Sequence, residues 1–329
     1  MIVTVTDRGK EYKLQVEPVS QWCGTNIRKK QYIVSSIKKY FSSSKYAEYE
    51  KELIDNVYVD GKMAGRKYFV VHHISTREDL ISNIKMGKTS MMGKYIVNQL
   101  NDFSFQTELE IIEESLSKIF DGINAVLMDK LGNISLDYEQ NSIFDMAQYF
   151  EVRGKEGEYL EKLTNYELIE IYLELLGELQ GIFPEKRMII FENLDHILSV
   201  EQYKKMYKIC QRIGEQTDSW FILTTSINGY VYLEKDNLES ITVINDEEYI
   251  LPDYIHLLQF INDSYPYYKL WEERELLCSL EKIIHNLCSE NSMFEIKDQV
   301  VQKMLNDSMG YKNKIKNAPK TAELAYLKE

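Results

Sequence analysis

Proline is scarce in this sequence, five residues in 329, and cysteine is scarcer, with four. The cysteines Cys23, Cys210, Cys278 and Cys288 show no C-x-x-C spacing, which argues against a zinc ribbon and for free thiols in a reducing cytoplasm. No apolar run approaches the roughly 18 to 20 residues that cross a bilayer. No basic-then-apolar signal segment opens the chain, so a cytoplasmic protein with no membrane attachment is expected. Internal repeats and low-complexity tracts are also missing. Basic charge is in deficit, with 39 Lys and Arg against 52 Asp and Glu for a net charge of −13, a balance that ordinarily argues against nucleic acid.

The deficit is uneven. Residues 1–99 hold 17 basic against 10 acidic side chains, a balance of +7, whereas 100–329 hold 22 against 42, a balance of −20. Within the first part, 8–39 carries +6 and 60–99 carries +4. Such segregation suits either solvated basic faces or a surface that neutralises phosphates, with the acidic remainder suppressing non-specific contacts. Hydrophobic content of 44% and charged content of 28% are those of a globular chain whose core needs no disulfide or metal.

Along the chain, "MIVTVT" and "YKLQVEPV" are joined by "DRGKE" and predict a hairpin. Ile33, Val34, Ile37 and Phe41 recur on one face of a helix starting near Arg28. "KYFVVHHI" predicts a buried strand, with His72 and His73 on opposite faces in structural roles. Long helical runs follow, interrupted by an expected hairpin, "NAVLMDKLGNISLDYE", turning at Lys130 to Asn133, then by "FDMAQYFEV". The α/β pattern resumes with the strand "KRMIIFENL". After it come a helix opened by Ser199 with Gln202 at the capping-box position, the buried strand "SWFILTTS" and a further strand, "SITVINDEEYIL". A helical tail ends the chain. The expected segments are an α/β first half at 1–90, a helical insertion at 91–181, an α/β second half at 182–264 and a helical C-terminal extension at 265–329.

The stretch "CGTNIRKKQ" lies at a strand-to-helix turn, the setting of a phosphate-binding loop. The pattern G-x-x-x-x-G-K-[ST] needs two glycines for backbone approach to phosphate, a lysine for charge and a hydroxyl for Mg²⁺. Gly24 and Lys30 fit, and Asn26 fits the G-x-N-G-x-G-K form of ABC- and SMC-type ATPases. Ile27 and Lys29 replace glycines, and Gln31 replaces the hydroxyl. Glu192 follows four apolar residues, 162 positions after Lys30, where P-loop ATPases hold Mg²⁺. Asn193 stands in for the carboxylate that orients the attacking water, and Asp195 completes E-N-L-D, similar to the D-E-[VI]-D of SMC heads. "LTNYE", 29 residues before Glu192, has the spacing of the L-S-G-G-[QE] signature with Asn165 and Tyr166 for its glycines. Ser226 occupies the switch-histidine position. The order of these motifs predicts a degenerate SMC/ABC-like head with no ATP hydrolysis and no bound ATP. "MGKTS" at 86–90 is a decoy, a loop feeding the next helix.

Together these features resemble one family, the Csn-type spacer-acquisition proteins of type II-A CRISPR loci, in their long form. The resemblance implies a homotetrameric ring whose basic channel encircles double-stranded DNA, binding ends and sliding without sequence preference. It also implies bound Ca²⁺, no nuclease or ATPase activity, and association with the CRISPR integrase and effector nuclease during adaptation. On this chain the channel candidates are Arg28, Lys29, Lys30, Lys38, Lys39, Lys62, Arg66, Lys67, Lys85, Lys88 and Lys94. For Ca²⁺, Glu192 and Asp195 are the carboxylates with a motif behind them. Two other readings stay open: an active P-loop NTPase of a defence system, and an acidic interaction scaffold that does not bind DNA.

Overall fold

The computed structural model describes residues 1–42, 45–48, 50, 56–131, 134–136, 149–289, 294–311 and 323. The chain divides into two compact units, one built from Met1–Thr76 and Phe183–Glu329, the other from Arg77–Ile182. The helical insertion thus begins at Arg77, ahead of residue 91, and the C-terminal extension belongs to the α/β unit.

The first unit opens with β1 (Ile2–Asp7) and β2 (Lys10–Gln15), the expected hairpin, registered from Ile2↔Gln15 to Asp7↔Lys10. Its two-residue turn puts both Arg8 and Gly9 at positive φ, the twist that lets antiparallel strands meet without splaying. β3 (Val19–Cys23) is buried throughout and leads into α1 (Ile27–Tyr40), whose Ile33, Val34 and Ile37 are buried as their spacing requires. β4 (Val57–Val59), β5 (Lys62–Met63) and β6 (Val70–Ile74) follow.

The second unit holds α2 (Arg77–Ile84), α3 (Met91–Leu100), α4 (Gln106–Leu131) and α5 (Asn165–Ile182). Leu80 and Ile84 of α2 and Leu168, Ile169, Tyr172, Leu173 and Leu176 of α5 are buried here. Ser90 caps α3, its Oγ accepting from the Gly93 amide at 3.0 Å, so "MGKTS" is the helix-feeding loop expected. The hairpin expected at 124–139 is corrected in part. Its first arm is the last two turns of α4, because Ala125, Leu127, Met128 and Lys130 are strong helix formers and Val126 is the one β-branched residue of Asn-Ala-Val-Leu-Met-Asp-Lys. Residues 134–136 of its second arm form no strand, Leu136 instead bonding Asn124 of α4, and residues 132–133 and 137–148, which include the remainder of that expectation and most of "FDMAQYFEV", lie outside the described residues.

Back in the first unit come β7 (Arg187–Phe191), α6 (Val200–Gln216), β8 (Ser219–Thr224), β9 (Ile241–Ile244) and β10 (Glu248–Ile250), then α7 (Tyr254–Ser264), α8 (Glu273–Ile283) and α9 (Ile296–Ser308). Ser199 and Gln202 form the capping box expected at the start of α6. The single strand expected at "SITVINDEEYIL" is two antiparallel strands, folded back where Asn245, Asp246 and Glu247 supply turn chemistry.

A four-stranded antiparallel sheet has the order β2-β1-β4-β5, and a six-stranded sheet the order β10-β9-β3-β8-β7-β6, parallel except for β10. β6 is therefore an edge strand rather than the buried one its composition predicts, and Val70 is exposed. One core unites Val3, Val5 and Leu14 of the small sheet, Ile33 and Ile37 of α1, and Trp22, Met188, Ile190 and Ile222 of the large one. A second core joins Cys23, Ile241 and Val243 to Leu257, Leu280, Ile283, Val301 and Met304 of the C-terminal helices. All four cysteines are free, and Cys278 is exposed.

Candidate functional site

The carboxyl ends of β3, β7, β8 and β9 meet at the loop that resembles a phosphate cradle, the edge of an open parallel sheet where ligands commonly bind. Gly24 has φ +119°, and a Cβ there would lie 2.4 Å from the Ile244 carbonyl oxygen, so this position demands glycine. Asn26 caps α1, its Oδ1 accepting from the Lys29 amide at 3.1 Å while its Nδ2 donates to the Asn245 carbonyl at 3.2 Å. Its role is thus met by the helix and by β9.

Lys30 turns inward. Its ammonium donates to the Gly24 carbonyl at 2.8 Å, the Thr225 carbonyl at 2.6 Å and Ser226 Oγ at 2.6 Å, and the residue is 3% exposed. An ammonium has three protons, and all three have partners inside the protein. Burial pushes the Lys30 pKa down to about 8, against the opposing pull of charges that include Asp195 and Glu192. Gln31, at the hydroxyl position, is exposed. Lys29 folds onto β10, donating to the Asp246 carbonyl at 2.8 Å and to Glu248 Oε2 at 3.2 Å.

Glu192 follows β7, and its Oε2 lies 2.7 Å from His73 Nε2 on neighbouring β6. Lys38 Nζ lies 3.1 Å from His73 Nδ1. Because an ammonium only donates, this geometry sets Nδ1 to accept from Lys38 and Nε2 to donate to Glu192. Asn193 adopts the left-handed conformation at φ 59°, and its amide donates to Thr224 Oγ1 at 3.2 Å. Asp195 Oδ2 accepts from the Ser226 and Ile227 amides at 2.5 and 2.8 Å. Asp195, Ser226, Lys30 and Gly24 therefore form one hydrogen-bonded chain across the ends of β7, β8 and β3. Glu192 is engaged with His73, and Asn193 has no carboxylate with which to activate water.

Sequence reasoning missed two members of this network. Asn245 Oδ1 accepts from the amide and hydroxyl of Thr25 at 2.6 and 2.9 Å, and its Nδ2 donates to the His285 and Leu287 carbonyls at 2.9 and 2.5 Å. His285 is fully buried, its Nε2 lies 3.1 Å from Thr225 Oγ1, and burial pushes its pKa down to about 3. The C-terminal extension thus holds the loop in place. An asparagine at a strand end was a readable turn signal; nothing local marked His285.

In the second unit, "LTNYE" has a helix-capping role. Thr164 Oγ1 accepts from the Glu167 amide at 3.3 Å, and Glu167 Oε2 accepts from the Thr164 amide at 2.7 Å, the reciprocal pair of a capping box. Asn165 Oδ1 accepts from Arg77 at 2.7 Å.

The basic candidates separate into two groups. Lys30 is buried, Lys29 pairs with Glu248, Lys39 with Glu50 at 2.8 Å, and Lys85 with Glu161 at 2.6 Å. Arg28, Lys38, Lys62, Arg66, Lys67, Lys88 and Lys94 are exposed, and none makes an ion pair among the described residues. Glu192 and Asp195, whose Oδ1 is buried without a hydrogen-bond partner, fall short by themselves of a Ca²⁺ coordination shell. A hard cation takes six to eight oxygens, whereas these carboxylates serve His73 and two backbone amides. Among the described residues no cluster of three or more His, Cys, Asp or Glu could hold a metal ion.

Residues 7–328 match the sequence family described as CRISPR-associated protein Csn2, subfamily St. The chain belongs to the Csn2 family. Membership of Csn2 implies a role in CRISPR adaptation. No curated protein sequence matches. Among solved structures, the crystal structure of Stu0660 of Streptococcus thermophilus is similar at TM-score 0.87 and 20% identity, covering 97% of this chain and 96% of that one, so the Csn2 chain shares its fold. An Smc head bound to the C-terminal winged-helix domain of ScpA matches at TM-score 0.43 and 10% identity, over 78% of this chain and 98% of that one, too low to carry a fold argument.

Proposed function

We propose that the protein is a non-catalytic double-stranded DNA-binding component of CRISPR adaptation, built on a P-loop head that has lost its nucleotide chemistry. The observation that carries the DNA reading is charge placement. Seven of the eleven basic candidates in the first 99 residues stand exposed and outside ion pairs among the described residues, in a chain whose net charge is −13. Affinity of this kind comes from phosphate neutralisation and is indifferent to sequence.

The degenerate-head reading is supported by the order β9-β3-β8-β7, which sets the loop after β3 beside the acid after β7 with one strand between them. Against hydrolysis stands Lys30, whose three protons go to Gly24, Thr225 and Ser226. Without nucleotide to drive dimerisation, assembly rests on permanent contacts. The 26-residue α4 has no buried residue and leaves Ile112, Ile119, Ile123 and Val126 exposed on one face, which supports a constitutive homo-oligomer, a tetrameric ring in our reading. In spacer acquisition the protein acts in the cytoplasm with the CRISPR integrase and effector nuclease. No helix among the described residues is long and apolar enough to cross a membrane. Glu192 and Asp195 have no metal role in this reading.

The test is fluorescence anisotropy with a labelled linear duplex at several salt concentrations. The expected result is binding to unrelated sequences alike, with log affinity falling linearly in log salt at about −0.9 per neutralised phosphate. Absence of binding at low salt would leave the acidic scaffold reading in its place. Incubation with Mg²⁺ and ATP should release no phosphate above background; turnover abolished by Lys30→Ala would restore the NTPase reading.

A further inference from the structure

The first unit carries a second basic feature at the opposite edge of its large sheet from the phosphate-loop remnant. β6 and β7 are parallel neighbours, registered Val70↔Arg187, so the segments that precede them arrive side by side although more than a hundred residues separate them in sequence. A groove of about 1050 Å³ lies there, lined by Arg66, Lys67, Tyr68, Phe69, Val70 and Lys186 among others. Arg66, Lys67 and Lys186 are exposed.

Two of these cations are held in place. The Arg66 guanidinium lies over the Tyr46 ring, 4.6 Å from its centroid, and the Lys186 ammonium lies 4.6 Å from the centroid of Tyr68. Tyr68 is braced edge-on against Phe69, which is 2% exposed and belongs to the core. Long basic side chains lose conformational freedom in ordering at an interface, and aromatic seating reduces that loss in advance. Glu185 also lines the groove, but its carboxylate is 2.8 Å from Arg187 in an ion pair. The three groove cations make no ion pair with a carboxylate among the described residues. Two cations seated on aromatic rings, with a third exposed beside them, make a positively charged groove of the kind that tracks a nucleic-acid backbone.

We infer that the groove of Arg66, Lys67, Tyr68 and Lys186 is a contact site for the phosphodiester backbone of DNA. This rests on the DNA-binding reading and makes it specific. It moves the contact away from Lys29, Lys30 and Lys39, whose charges are spent inside the fold, to the amino ends of β6 and β7. It also recruits Lys186, which lies in the acidic part of the sequence and was not a candidate there. Occupation of the groove is independent of the loop at the other edge of the sheet.

The experiment compares wild type, Lys186→Glu and the triple variant Arg66→Glu, Lys67→Glu, Lys186→Glu by anisotropy over a range of KCl. The probes are a labelled duplex of about 30 base pairs and a single strand of equal length, long enough for the several phosphates that set a salt slope. Three lost phosphate contacts should make the log–log salt slope shallower by about 2.7 and weaken binding at low salt at least tenfold. Loss confined to the duplex assigns the groove to double-stranded DNA, and loss confined to the single strand assigns it to an unpaired end; both support the inference. A triple variant that binds both probes with the wild-type slope overturns the groove while leaving DNA binding intact. Failure of wild type to bind either probe overturns the DNA reading itself. If polyglutamate, rather than either DNA, is what the wild type binds and the triple variant loses, the groove belongs to an acidic protein partner and the inference fails. Should the triple variant not fold, Lys186→Gln suffices, with an expected slope change of about 0.9.

Discussion

Replacing Lys30 by methionine should change how stability responds to alkali. Burial holds the folded-state pKa of Lys30 at about 8, against its ordinary 10.5. Between those values the unfolded chain binds more protons than the folded one, so the lysine's contribution to stability rises with pH. Below the window the ammonium is charged in both states and the cost of burying it is constant; above the window that cost is gone. At about 1.36 kcal/mol per pKa unit the full window is worth about 3 kcal/mol, of which about 2 kcal/mol falls between roughly pH 7 and pH 9.5. Lys30→Met keeps most of the side-chain volume and removes the titration. Urea unfolding of both proteins at each pH isolates the effect, because other alkaline groups, such as buried Tyr203 with its raised pKa, cancel in the difference. Wild type should gain about 2 kcal/mol on the variant over that range. A difference that does not vary with pH would refute the inward placement and put the ammonium in water, where it could meet a phosphate.

Gly24→Ala should destabilise the fold by at least about 2 kcal/mol in urea melts, because its positive φ and the Ile244 carbonyl both oppose a Cβ. Ile283→Ala, in the core shared by α8 and β9, should cost about 2–5 kcal/mol, showing that the C-terminal helices are part of the α/β unit's core rather than an appendage. A cost under about 0.5 kcal/mol, typical of a surface site, would contradict that. Light scattering should give an oligomer whose mass does not respond to ATP; a monomer of 38.8 kDa at micromolar concentration would contradict permanent assembly.

Local patterns in the sequence carried much of the α/β unit. The Arg8-Gly9 hairpin, the strand-loop-helix around Gly24, the Ser199 capping box and the buried strands at 187–191 and 219–224 are all set by neighbours within a few residues. What escaped depends on distant partners. Lys29 is neutralised by Glu248, and the loop is held by Asn245 and His285, contacts that exist only once β9, β10 and the C-terminal helices have packed. The order of strands also decided exposure, since "VVHHI" reads as buried and lies at a sheet edge. Basic composition showed which third of the chain could meet a polyanion, but only the fold separates spent lysines from available ones. "TNYE" shows the opposite error, a helix cap whose spacing imitates a nucleotide signature.

The central claim, a ring that holds duplex DNA without nucleotide chemistry, is tested most directly by competition. Labelled linear duplex is bound first, and unlabelled linear or covalently closed circular DNA of the same sequence and length is then added. A ring that loads over ends should be displaced by the linear competitor and left in place by the closed circle. Equal displacement by both would contradict encirclement and make the protein a surface binder.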